Sequence, residues 1–247
     1  MLSQVEVGDG KMKYVTFTNI GSIELCNNFL QSVKNLGMEK DVIVYCLDSD
    51  SRKILESNFD CEFRLFGTDS IEASFHSYGS EEFRTVTKNK IEIILDALQS
   101  NESIVYTDCD VVFRKSPTQF ILDNDNDSVD IFFATDAPFM KMCTGFMYVK
   151  NRESIHRLFH EYFSHNEKYD EVKNEHMFDQ EIINGILQNN QTGVTYGVYP
   201  LEFVSNGHIY FSESIQTGNE YVVHANFTIG KDNKINKLKG ANLWVSD

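Results

Sequence analysis

Along this chain, short apolar runs alternate with stretches whose apolar residues recur at helical spacing. Tyr14 to Thr18 is β-branched and aromatic and reads as a strand. It ends in Asn19-Ile20-Gly21-Ser22, a turn and helix-start signal. Ile23, Cys26, Phe29, Leu30, Val33 and Leu36 then share one helical face as far as Gly37, which suits a C-cap. Val42 to Leu47 is a continuous apolar strand, of the kind a parallel sheet buries on both faces. The turn Asp48-Ser49-Asp50-Ser51 closes it, and Phe63 to Leu65 makes a third strand. Strand, helix and strand at this spacing predict a βαβ unit. Gly67 to Ser80 has no period and reads as a lid or functional insertion.

A helix through Ile91, Ile94, Leu95 and Leu98, capped at Thr87, leads into the run IVYTDCDVVF, Ile104 to Phe113. Later strands are expected at Val129–Ala134, Phe146–Val149, Val194–Tyr199 and Tyr221–His224. Two more helices fit Ile155, Leu158, Phe159 and Tyr162, then Ile182, Ile183, Ile186 and Leu187. The first half is α/β and the second mixed.

With 247 residues, 41% of them hydrophobic, the chain can fill one large core, so one α/β domain is expected. Residues 1–12, polar and Gly-containing, are expected to be a mobile N-terminal tail preceding a domain over 13–247. A net charge of −15 argues against nucleic acid as a partner, since phosphate contacts need a basic face. Lys231, Lys234, Lys237 and Lys239 nevertheless cluster, as a small-anion site or as the solvated face of a terminal segment. The five cysteines are odd in number and scattered, without a CxxC pair, which fits a reduced, intracellular chain. No apolar run reads as a signal or membrane span, so a cytoplasmic protein without a transmembrane segment is expected.

Chemistry concentrates in four places. Asp108 and Asp110 end a buried strand, where ligands bind in open α/β sheets. Two hard carboxylates there suit a divalent cation with positions open for phosphate oxygens, although Asp also favours plain turns. Asp110 is expected to face solvent at least in part. Asp179-Gln180-Glu181 opens an apolar-periodic helix, either as complements to its dipole or as groups facing a substrate. In VVHANFTIGKDNK, Val222 to Lys234, an apolar strand delivers His224 and Asn226. There His224 can ligate a metal, Gly230 can admit backbone N–H groups to a phosphate, and Lys231 or Lys234 can neutralise it. In CTGFMYVK, Cys143 to Lys150, Gly145 permits a close approach or a bulge.

From about Thr85 to Trp244 these landmarks, in this order, resemble the nucleotide-diphospho-sugar transferases, glycosyltransferases of the GT-A fold. The landmarks are Lys90, YTDCDVVF, CTGFMYVK, DQEIINGIL, Asn206-Gly207, VVHANFTIGKDNK and LKGANLW. The chain looks most like the plant cell-wall arabinosyl- and xylosyltransferases and is more distantly similar to glycogenin and bacterial galactosyltransferases. The resemblance implies a single Rossmann-like domain with a mixed, mainly parallel sheet flanked by helices. About 13–110 would form the nucleotide-binding half, and about 111–247 the half that completes the metal and acceptor sites. Asp108, Asp110 and His224 would hold Mn²⁺ or Mg²⁺. Thr18, Asn19, Gly21 and Asp48 would frame the base. Lys90, Thr107, Cys109, Gly145, Asn226 and Gly230 belong to the donor-binding set, with Lys234 or Lys231 on the diphosphate. Asp179 and Gln180 would lie at the transferred sugar. In glycogenin-like enzymes the Gly and Lys follow the His more closely than here.

The implied reaction moves a sugar from a nucleotide sugar, a UDP-sugar first, to a glycan or glycoconjugate acceptor, with retention. Gly67 to Ser80 and the polar, aperiodic stretch Ser164 to Met177 are expected to form the acceptor site, through His76, Tyr78, Tyr169 and His176, with ordinary surface loops as the alternative. Two other readings compete. A haloacid-dehalogenase-like phosphatase also uses a strand followed by DxD, but Val111-Val112 stands where a Thr or Ser normally follows. A sugar-binding module without catalysis is the other, against which the intact Asp108, Asp110, His224 and Gln180 argue.

Overall fold

The computed structural model describes residues 12–67, 81–138, 141–172, 178–190, 192–212 and 218–246. The first half gives β1 (Lys13–Thr18), α1 (Ile23–Asn35), β2 (Val42–Cys46), α2 (Ser49–Glu56), β3 (Glu62–Leu65), α3 (Glu81–Leu98) and β4 (Ser103–Thr107). The middle gives β5 (Val111–Phe113), α4 (Thr118–Asp123), β6 (Ile131–Asp136), β7 (Lys141–Lys150) and α5 (Glu153–Val172). Then come α6 (Asp179–Gln188), β8 (Tyr196–Tyr199), β9 (Val204–Asn206), α7 (Gly207–Tyr210), β10 (Val222–His224) and α8 (Lys231–Gly240).

Seven strands form the main sheet in the order β3-β2-β1-β4-β7-β6-β8. β7 is antiparallel to both its neighbours, and the other pairings are parallel. The expected mixed, mainly parallel sheet is therefore present, and both halves of the chain contribute to it. The continuous apolar β2 shows why. Ile43, Tyr45 and Leu47 face one layer of helices, with Ile91 and Ile94 of α3, Leu158 of α5 and Ile183 of α6. Val42, Val44 and Cys46 face the other, with Phe29, Leu30 and Val33 of α1. Each fully buried side chain of this kind stabilises the fold by about 2 kcal/mol. A smaller sheet, β5-β10-β9, pairs His224 with Val111. α8 packs in that region, its Ile235 and Leu238 clustering with Val112 and Val223.

The ends of α1 follow local chemistry. Asn19 accepts the Ser22 N–H at 3.1 Å and caps a 3-10 turn that feeds the helix. Gly37, at φ +69°, closes it with Gly37 N–H to Lys34 O and Met38 N–H to Val33 O.

Some elements depart from the sequence pattern. The turn after β2 is the start of α2, whose N-cap is Asp48. α3 begins at Glu81, ahead of Thr87. β7 begins at Lys141 rather than Phe146, because Met142 and Cys143 continue pairing with β6 across a register shift. The Lys-rich segment is a helix, α8. Residues 1–11, and with them nearly all of the expected tail, lie outside the described residues, as do 68–80 and 173–177. Among the described residues no helix is long and apolar enough to cross a membrane.

Candidate active site

The carboxyl ends of β1, β4 and β6 and the start of the antiparallel β7 lie at one edge of the sheet. A cavity of about 650 Å³ opens there. Asp108 follows β4 directly, and its N–H donates to Gly145 O at 2.9 Å, extending the β4–β7 pairing by one residue. Asp110 precedes β5, and its carbonyl accepts the Ala225 N–H at 2.9 Å, which draws the end of β10 alongside. The two strand ends thus bring Asp108, Asp110 and His224 together, with one ligand atom of each within 4.8 Å of the others.

His224 Nε2 is 3.1 Å from Asp110 Oδ1 and 3.8 Å from Asp108 Oδ2. Its Nδ1 lies 3.8 Å from Cys143 Sγ. Lys234 of α8 pairs with Asp110 Oδ2. Contrary to expectation, Asp110 is only 7% exposed, because His224 and Lys234 close over it. Gly145 is required here. A Cβ on it would stand 2.2 Å from His224 Cε1 and 2.8 Å from Asp108 Oδ2.

Burial alone would lower the His224 pKa, but the charge and hydrogen bond of Asp110 outweigh it and push it up to about 10. Burial would raise Asp110, yet Lys234 and His224 hold its carboxyl well below the usual carboxylate range. The protein therefore sets an imidazolium and an ammonium against one carboxylate. The set fits a hard divalent cation: two carboxylates and an imidazole converge on one point, and Asp110 already gathers positive charge.

A second network lies beside the first. Lys90 of α3 donates to Asp179 Oδ2 at 2.8 Å and sits 3.2 Å from Asp108 Oδ1. Burial would lower the Lys90 pKa, but Asp108 and Asp179 raise it, so its charge is fixed. Thr144 Oγ1 donates to the same Asp179 oxygen at 2.7 Å, and Asp179 is buried. Gln180 donates through Nε2 to Asp136 Oδ2 at 2.9 Å and accepts the Thr144 N–H at 3.3 Å. Asn226 Nδ2 reaches Asp136 Oδ1 at 3.3 Å, and its Oδ1 accepts the Gly207 N–H at 2.7 Å. Burial raises the Asp136 pKa. Glu181 turns back to accept the Phe178 N–H at 3.2 Å and so caps α6.

Of the residues singled out by sequence, Asn19, Lys90, Asp108, Cys109, Asp110, Gly145, Asp179, Gln180, His224, Asn226, Gly230 and Lys234 line the cavity. Thr18, Gly21, Asp48, Thr107 and Lys231 do not. Asp48 accepts the Ser51 N–H at 2.7 Å and the Ile20 N–H at 2.7 Å, fixing the turn that carries Asn19. Lys231 pairs with Glu24 at 2.5 Å, so of the two candidate lysines Lys234 is the one in the cavity. His76, Tyr78 and His176 lie outside the described residues, and Tyr169 falls in α5 at a position whose side chain is not described. Phe17 and Asp136 also line the cavity without having been singled out, as do Tyr106, Cys143 and Thr144, which lie in the named motifs but were given no role there. Asp136 carried the same signal as Asp108, an apolar strand ending in a carboxylate.

The arrangement can be compared with known proteins. The chain is 21% identical to the UDP-galactose:fucoside alpha-3-galactosyltransferase of Dictyostelium discoideum, over 99% of this chain and 44% of that protein. It is 22% identical to a UDP-D-xylose:L-fucose alpha-1,3-D-xylosyltransferase of Arabidopsis thaliana, over 90% of this chain and 66% of the relative. The chain thus spans about half to two thirds of the length of these curated relatives. The solved galactosyltransferase LgtC, in complex with donor and acceptor sugar analogues, superposes with a TM-score of 0.61 at 15% identity. That likeness covers 94% of this chain and 95% of that one. Mouse xyloside xylosyltransferase 1 superposes at 0.58 with 11% identity, over 87% of this chain and 98% of that one. These likenesses establish the GT-A fold. The family described as nucleotide-diphospho-sugar transferase matches residues 37–238, from before β2 into the last turn of α8. With most of the chain, and Asp108, Asp110 and His224 among it, inside that match, the chain belongs to the nucleotide-diphospho-sugar transferase family.

Proposed function

We propose that this protein transfers a sugar from a uridine diphosphate sugar to a glycan or glycoconjugate acceptor, with retention at the anomeric carbon. The observation that carries this reading is the convergence of Asp108, Asp110 and His224 in the cavity that Lys234, Asp179 and Gln180 also line. Asp108, Asp110 and His224 would hold Mn²⁺ or Mg²⁺, which when bound supplies Lewis-acid neutralisation of the charge growing on a leaving diphosphate. Lys234 keeps its proton, because the Asp110 charge outweighs the cost of burial, and presents a positive charge to the same diphosphate. Gly230, which begins α8 at the cavity with φ +88°, leaves room for a phosphate beside the helix N-terminus. Asn19 and Phe17, at the β1 end of the cavity, flank the space for the base.

Asp179 bears on the stereochemical course. One of its oxygens already accepts from both Lys90 and Thr144, and its charge is balanced. That favours an electrostatic role beside the oxocarbenium-like carbon over attack as a nucleophile. The acceptor hydroxyl then enters on the face the diphosphate leaves, and a leaving phosphate oxygen takes its proton. Gln180, bridging Asp136 and the Thr144 backbone, sets the orientation of the sugar. The relatives named above act on UDP-galactose or UDP-D-xylose and on fucose or a fucoside, which supports a UDP-sugar donor and makes a fucoside the first acceptor to try. A cytoplasmic setting is proposed from the scattered free cysteines. Family membership removes support from the phosphatase reading.

The test is a transfer assay with UDP-galactose, UDP-xylose and UDP-glucose on a fucoside and on water, with Mn²⁺ or with EDTA. Metal-dependent release of UDP that Asp110→Ala abolishes supports the reading. Equal release in EDTA, or from the variant, overturns it.

A further inference from the structure

Asp108 and Asp110 are held differently. Asp110 is enclosed by His224 and Lys234, whereas the Asp108 side chain is 29% exposed and free to swivel unless something grips it. The grip comes from its own strand. Tyr106, two residues earlier and on the same face of β4, is fully buried and directs its hydroxyl at Asp108 Oδ1, 2.6 Å away. An ionised carboxylate only accepts, so the phenol donates. Lys90 Nζ stands 3.2 Å from the same oxygen and 5.3 Å from the centre of the Tyr106 ring. Oδ1 therefore faces two strong donors, and Oδ2 is left towards His224 Nε2, 3.8 Å away.

We infer that the Tyr106 hydroxyl is a positioning group that keeps Asp108 a one-oxygen ligand and thereby selects a small divalent ion over Ca²⁺. A carboxylate whose second oxygen is taken by protein donors cannot chelate. Mn²⁺ and Mg²⁺ accept that, since they bind six ligands at short range with single carboxylate oxygens. Ca²⁺ takes more ligands at longer range and gains from two-oxygen carboxylates. Outer partners of this kind orient metal ligands and tune affinity. The inference rests on the proposal that Asp108, Asp110 and His224 hold a divalent ion.

Tyr106→Phe removes the hydroxyl and keeps the ring against Lys90 and against Phe17, whose ring centre is 6.4 Å away. The full chain with UDP is titrated with Mn²⁺, following the free-ion paramagnetic resonance signal, and Ca²⁺ is then added as competitor. The variant is expected to bind Mn²⁺ about tenfold more weakly and to lose much of its preference for Mn²⁺ over Ca²⁺, with an altered spectrum of the bound ion. Tyr45→Phe is the control. Tyr45 is also a buried residue, and its hydroxyl donates to Asp96 Oδ2 at 2.6 Å, outside the cavity. It is expected to lower Tm comparably and leave both metal readouts as in wild type. Unchanged Mn²⁺ affinity and Ca²⁺ competition in Tyr106→Phe, or equal changes in Tyr45→Phe, overturn the inference while leaving the function standing. Wild-type protein that binds Ca²⁺ as tightly as Mn²⁺ overturns it without any variant. Wild-type protein that binds neither ion overturns the underlying reading as well.

Discussion

His224 decides how the site responds to pH. An unperturbed imidazole would compete with metal only below about pH 6.5. Here Asp110, against the cost of burial, pushes the pKa up to about 10, so at neutral pH the imidazolium must lose its proton before it can ligate. Mn²⁺ affinity is therefore expected to rise roughly tenfold per pH unit across the neutral range, one proton leaving per ion bound. Titrations with Mn²⁺ and UDP at pH 6, 7 and 8 measure this. His224→Ala should bind weakly and lose the slope, and a wild-type curve that is flat above pH 6.5 would disprove the coupling. The same shift bears on metal-free stability. A raised folded-state pKa contributes stability that is complete below about pH 6.5 and is lost as pH climbs towards about 10. Asp110, shifted the other way, contributes stability present above about pH 4 and lost below it. Both effects draw on the approach of His224 to Asp110, which β5–β10 pairing enforces, and Lys234 adds the larger pull on Asp110.

At the level of elements, the site depends on close approach between strands and on two short polar helices. Gly145 lies in β7 opposite the end of β4, and its missing side chain is what admits His224 beside Asp108. Gly145→Ala is expected to cost about 1–3 kcal/mol through overpacking and to weaken Mn²⁺ binding at least as much as it weakens the fold. Retained Mn²⁺ affinity in a destabilised variant would mean that His224 has somewhere else to go. Asp48→Ala separates capping from nucleotide contact. Loss of the N-cap of α2 should cost about 1–2 kcal/mol in urea unfolding, and UDP affinity should fall only slightly, through the turn that carries Asn19. A UDP affinity reduced a hundredfold would instead place Asp48 in direct contact with the base. The sequence made apolar strands and their carboxylate ends legible, because burial on both faces leaves a continuous run and a ligand-bearing end breaks it. It hid α2 and α8, since each buries only two side chains, Ser51 and Leu55 in one, Ile235 and Leu238 in the other. It also hid Tyr106 and Thr144. Their roles exist only once β4 and β7 lie side by side, and nothing local distinguishes a core tyrosine from one that grips a carboxylate.

For the whole molecule, the cavity joins both halves of the chain. Asn19 comes from the end of β1, Asp108 from the end of β4, His224 from β10 and Lys234 from α8. Both halves also share one sheet, with β4 pairing β7 from Ser103 opposite Lys150 to Thr107 opposite Phe146. The packing is shared as well, since Ile43 and Ile94 cluster with Phe133, Leu158 and Ile183. Neither half can bury its apolar face without the other, so heating should give one cooperative transition rather than two. A ligand that touches residues of both halves stabilises that single transition by linkage, about 2.7 kcal/mol at a hundredfold excess over Kd. For a chain of this size that corresponds to a rise in Tm of roughly 5–10 °C. UDP and Mn²⁺ together should produce it. Either alone should give much less, because without the ion Asp108 and Asp110 repel the diphosphate, and without the diphosphate the ion contends with the Lys234 and His224 charges already on Asp110. Differential scanning calorimetry with each ligand and with both reads the number of transitions and the synergy in one experiment. Two transitions of which only one moves would show that the halves fold separately. Simple additivity of the UDP and Mn²⁺ shifts would show that they do not share the cavity.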